Sequence, residues 1–246
     1  MKFLGIDFGW QTGPSGLAAL EWDGAQLTLL EMVRHQPLDH ILAWVDRTAG
    51  DGPALVAVDA PTIIPNATGM RLPDKLTHSY FGKYHAGCYP ANLQRPFAER
   101  TVALGQALEA RKFNHADTIE PLRPGRYQIE CFPHPAIVHL FNLSRILKYK
   151  KGPLAERRPE LERYRSLILK ELTVHTPKLS LSSLPSIPAK GVEMKALEDQ
   201  LDGILCAYVG AYWWYWGVAR NQVLGNRHEG YIVVPHRVFT KAENCS

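Results

Sequence analysis

The sequence predicts an α/β fold: a mixed five-stranded sheet with helices on both faces and an inserted loop and helical region. Three observations carry this. Short apolar runs alternate with turn formers over the first forty residues, as in antiparallel strands. Ala54–Asp59 (ALVAVD) is almost continuously apolar, the pattern of a strand covered on both faces. Further short strands then follow, separated by segments with helical spacing.

Lys2–Asp7 is the first apolar run, and Phe8–Ser15 holds Gly9, Gly13, Pro14 and Ser15, a turn composition. Gly16–Trp22 alternates, Asp23-Gly24 is a hairpin signal, and Gln26–Arg34 is the third strand. Asp39–Thr48 carries Ile41, Leu42 and Val45 at helical spacing. Pro61 ends the buried strand. Residues 62–126 contain Pro65, Pro73, Pro90, Pro96, Pro121 and Pro124, and read as an insertion with one helix at about 98–112. Tyr127–Cys131 is a strand stopped by Pro133, and Ala136–Leu143 a short helix. Within a helical and linker region of about 144–191, Pro159 opens a helix to Leu172, since proline suits the first helical position. Lys178–Ala189 is a Ser/Pro-rich linker. A long helix runs from Val192 to Ala219, and Gly230–Val234 is a last strand closed by Pro235. No internal repeat is found. This order matches the RNase H-like plan, in one domain over 1–246.

The chain has 246 residues, 46% of them apolar, so a large core needs no staples. A net charge of +4 permits a nucleic-acid partner without requiring one. Cys88, Cys131, Cys206 and Cys245 form no C-x-x-C pair, which speaks against a zinc or redox motif and suits free thiols in a reducing, cytoplasmic setting. The start, MKFLGID, has an acid at its seventh position and does not read as a signal peptide. Leu201–Ala219 is apolar enough to raise the question of a membrane span, but Asp202 and three glycines favour a buried core helix. No membrane partner is expected. Tyr212–Trp216 reads as core and interface packing, and a homodimer formed through this helix stays open.

Acidic residues carry the functional reading. Asp7 ends the first strand before a glycine-rich turn, Asp59 ends the buried strand, and Glu130 lies near the end of a later one. Asp199 and Asp202 are three apart near the start of the long helix and share a face. Ligands in α/β sheets gather at the carboxyl ends of strands, so these acids are candidates to converge. A divalent cation, Mg²⁺ or Mn²⁺, removes the cost of crowding them and supports phosphodiester hydrolysis. Separately, each has a plainer reading: Asp199 and Asp202 favouring the helix dipole, Asp59 a turn before proline, Glu130 a partner for a core arginine. In the stretch 70–95, Arg71, Lys83, Tyr84 and His85 mix basic and aromatic groups, suiting phosphate contact and base stacking. Lys148, Lys150 and Lys151 suit a phosphate backbone, and Lys195, just upstream of the helical acids, is a candidate for the scissile phosphate.

These pieces resemble the domain of unknown function 429 family, described as predicted nucleases of RNase H-like fold. The matching motifs are GIDFGW (5–10), VDAP (58–61), Arg71–Asp74, YHAGCYPAN (84–92), IECFPH (129–134), LKYKKG (147–152), LEDQLDGILCAY (197–208) and GYIVVP (230–235). The resemblance implies a metal-dependent nuclease whose acids are Asp7, Asp59, Glu130 and Asp202. The helix motif is similar to RuvC-type resolvases, with Asp199 as the first of two acids one turn apart. Gly203 stands where such helices often carry alanine. Two alternatives remain: a non-catalytic nucleic-acid-binding module, and an actin-like phosphotransferase. The latter lacks its second phosphate loop here.

Overall fold

The computed structural model describes residues 1–237; Cys245 lies outside them. The chain opens with β1 (Lys2–Asp7), β2 (Ser15–Trp22) and β3 (Leu27–His35), followed by α1 (Leu38–Ala49) and β4 (Ala54–Val58). Next come α2 (Leu72–Phe81), α3 (Ala98–Ala110), β5 (Asn114–His115), β6 (Arg126–Glu130) and α4 (Pro133–Leu140). The last part holds α5 (Leu154–Glu171), β7 (Leu179–Ser180), α6 (Gly191–Trp216), β8 (Asn221–Asn226) and β9 (Gly230–Pro235).

The main sheet has seven strands in the order β5-β6-β4-β1-β2-β3-β7, where five were expected. Its added edge strands, β5 and β7, are two residues each, too short for any periodicity to register. The Gly230–Val234 strand is not part of it. It pairs with β8 in a separate antiparallel ribbon, which touches the main sheet's end through a Cys131–Val233 bridge. Other departures are local. Helix α2 lies inside the insertion and starts in the segment RLPD, with Pro73 in its first turn. Helix α5 begins at Leu154 and carries Pro159 in its interior.

Both faces of the sheet are covered, as strand parity dictates. Phe3, Leu55 and Ala57 join one core with α4, α5 and α6; Leu4, Ile6, Val56 and Val58 join the other with α1 and α3. Helix α6 lies unusually close to β1 and β2. A Cβ on Gly5 would sit 2.0 Å from the Gly203 carbonyl oxygen, and one on Gly16 would sit 1.8 Å from that of Asp199. Glycine at both positions lets the helix backbone rest on the strands, setting the height at which Asp202 meets the sheet. Leu201–Trp216, expected as a buried core helix, lies within α6, and among the described residues no helix is long and apolar enough to cross a membrane.

Candidate active site

Asp7 and Asp59 share the parity of Phe3 and Leu55, so both carboxylates point to the face that α6 covers. The Asp59 amide donates to the Ile6 carbonyl at 2.8 Å, continuing the parallel ladder to the aspartates. The turn after β1 is closed by the Gly9 amide donating to Ser15 Oγ, and Trp10 Nε1 donates to the Asp59 carbonyl. Asp202, fully buried on α6, completes the group.

Lys150 binds it together. Its Nζ lies 2.8 Å from Asp202 Oδ2 and 3.7 Å from Asp7 Oδ1. The buried Tyr149 hydroxyl donates to Asp202 Oδ1 at 2.8 Å. Burial opposes the charge on Lys150, but Asp202, Asp7 and Asp59 together outweigh it and hold its pKa well above the usual amine value. Burial pushes the Asp7 carboxyl up to about 7; Lys150 opposes the rise, and Asp202 and Asp199 add to it. Burial likewise lifts Asp59 well above the carboxylate range. Three carboxylates face one ammonium.

The other two candidate acids are bound differently: Glu130 lines the same cleft as Asp7 and Asp59, with Arg71 and Asp74 beside it, and Asp199 is engaged on α6. Glu130 has the opposite parity: its register partner is Val58, which faces the α3 side. It is held by Arg71 at 2.7 and 2.8 Å, and the same guanidinium grips Asp74 at 2.8 Å. Asp74 also accepts from the Ala91 amide, so this buried triad ties the insertion to β6. Burial pushes Glu130 up to about 7 despite Arg71. Asp199 is paired with Arg34 and Lys195 at 2.8 and 2.7 Å, one turn away from Asp202.

Several expected phosphate contacts are therefore engaged in the fold. Arg71 is committed to its triad, Lys195 to Glu198 and Asp199, and Lys150 to the aspartates, because each sits within reach of buried acids that need a counter-charge. Tyr84 packs against Phe81 and His139, its carbonyl accepts from the Ile146 amide, and Lys83 lies over its ring. His85, Lys148 and Lys151 do line the cleft above the aspartates. That cleft, of about 870 Å³, is also walled by Trp10, Tyr89, Phe97, Phe132 and His134. His134 was missed as a site residue. Burial, helped by Lys150, lowers its pKa to about 4, so it is neutral near pH 7, and its Nδ1 has no partner among the described residues. His134 and Tyr149 both lie within motifs visible in the sequence, IECFPH and LKYKKG; Asp202, which accepts from Tyr149, is distant in the chain.

Among the described residues, no three carboxylate, imidazole or thiol groups close into a preformed metal-ligand set, and Cys88, Cys131 and Cys206 are free. Asp7 and Asp59 nonetheless accept no side-chain hydrogen bond from the described residues; open oxygen acceptors of this kind suit a hard divalent cation.

Fold and site together define a mixed α/β protein with an aspartate-lysine cluster at strand ends, beneath an aromatic cleft. The chain matches the model of the family described as "Protein of unknown function (DUF429)" over residues 5–226, and it belongs to that family. No curated protein matches it.

Proposed function

We propose that this protein is an RNase H-like, divalent-metal-dependent nuclease that hydrolyses phosphodiester bonds in the cleft above Asp7, Asp59 and Asp202. The observation that carries the reading is the convergence of these three carboxylates around Lys150. The sheet order, with antiparallel β1-β2-β3 and parallel β4 and β6 beside β1, supports the RNase H-like assignment.

Asp7 and Asp59 would hold Mg²⁺ or Mn²⁺, with Asp202 beside them. When bound, the ion lowers the pKa of a water and stabilises charge on the phosphoryl oxygens. Lys150 holds Asp202 in place, and Tyr149 fixes the rotamer of the same carboxylate. Lys148 and Lys151 are exposed on the cleft wall, where they steer a phosphate chain. The aromatic walls take the bases.

The test incubates wild type and Asp7→Asn with single-stranded, duplex and branched DNA and RNA, in Mg²⁺ and in Mn²⁺. Metal-dependent cleavage by wild type, reduced roughly a thousandfold in the variant, is expected. Equal cleavage by both proteins, or none by either, overturns the proposal. Metal-independent binding without cleavage would instead assign a binding module.

A further inference from the structure

Two cavities meet at the lysine-rich segment. The active-site cleft and a second cavity of about 480 Å³ share Ile146 and Lys148 in their walls. Arg145 and Arg163 line the second cavity, and both are exposed. Among the described residues, the side chains of Arg145, Lys148, Lys151 and Arg163 form no ion pair. The other arginines of α5 behave differently. Arg157 binds Glu198 and the Tyr149 carbonyl, Arg158 the carbonyls of Ile187 and Pro188, and Arg165 those of Leu184 and Pro185. The one carboxylate in the second cavity, Glu160, accepts from the Lys148 amide.

We propose that the second cavity continues the cleft as a track for single-stranded nucleic acid. Phosphates leaving the aspartates pass Lys148 and Lys151 and are gripped by Arg145 and Arg163, whose planar guanidinium groups match phosphate oxygens. This rests on the nuclease reading of the cleft. Unpaired cations beyond the cleft extend recognition past a single nucleotide. Concave walls and the exposed ring of Tyr89 on the cleft favour unpaired, stackable bases over a duplex.

The test measures fluorescence anisotropy of labelled DNA strands of two, six and twelve nucleotides in EDTA, with wild type and R145E/R163E. The exposed, unpaired positions should tolerate reversal; R145Q/R163Q serves if the reversed protein fails to fold. Wild-type affinity is expected to rise about tenfold or more from two to twelve nucleotides, the rise that each added phosphate contact supplies. The double variant should lose that gain while binding the dinucleotide unchanged. Its slope of log affinity against log salt should fall by about 1.4, two phosphate contacts at ~0.7 each. No gain with length, an equal loss for short and long strands, or tighter binding of duplex overturns the track. Cleavage without length-dependent binding removes the track and leaves the nuclease reading standing. Length-dependent binding without metal-dependent cleavage does the reverse.

Discussion

The Lys150 ammonium lies 2.8 Å from the buried carboxylate of Asp202, fifty-two residues away in sequence, and reaches Asp7 across the end of β1. A lysine of a basic run, expected to meet phosphate, thus serves as the counter-charge of the candidate site. Lys150→Met leaves the aspartates without a cation. It should destabilise the protein by about 3 kcal/mol at pH 8 without metal, the scale for breaking a buried pair. Added Mn²⁺ should restore more stability to this variant than to wild type. Denaturant melts with and without Mn²⁺ measure both effects.

Asp7 sets a pH dependence of unusual sign. Its folded pKa, about 7, lies above the ordinary 3.8, so the folded state holds this proton more tightly than the unfolded chain. Its contribution to stability is present below about pH 4 and is lost as pH rises towards 7. Asp7→Asn removes this penalty. In EDTA the variant should exceed wild type by on the order of 4 kcal/mol at pH 8, with the gap closing by pH 4. A constant gap across that range would contradict the placement.

Glu130 and Asp7 should separate in experiment. Glu130→Gln removes a charge from the Arg71 triad and is expected to cost about 2–3 kcal/mol of stability. It should keep the wild-type rise in Tm on adding Mn²⁺, whereas Asp7→Asn should lose it. An unchanged Tm shift in Asp7→Asn would remove the metal from the site.

The close seat of α6 predicts a contrast between two glycines. Gly5→Ala forces a Cβ to 2.0 Å from a backbone oxygen and should cost more than about 4 kcal/mol or prevent folding. Gly203→Ala meets backbone atoms at 3.1 Å and gains helix propensity, so its change should stay within about 1 kcal/mol. Thermal melts of the two proteins compare them directly.

The long strands, the buried helix and the three converging aspartates were legible because each leaves a local pattern: alternation, an unbroken apolar run, an acid at a strand end. Glu130 also stands at a strand end. What separates it from Asp7 and Asp59 is parity relative to a neighbouring strand, and that needs the β4-β6 register. The two-residue strands β5 and β7 exist only through their neighbours. Helix α2 sits in a segment whose prolines read as loop, yet Pro73 falls in its first turn, where no amide hydrogen is needed. The lysines of LKYKKG look equivalent in sequence, and only tertiary packing tells the buried partner of Asp202 from its exposed neighbours.

The segment carrying Lys150 is fastened from outside the sheet, by the Ile146 amide on the Tyr84 carbonyl and by Arg157 on the Tyr149 carbonyl. The site thus has two separately built halves. The sheet and its covering helix supply the negative charges, while the peripheral segments hold the positive one. A chain trimmed of residues 62–97 would retain Asp7, Asp59 and Asp202 and lose the Tyr84 fastening of the segment that carries their cation. Periphery, in this protein, governs the electrical balance of the centre.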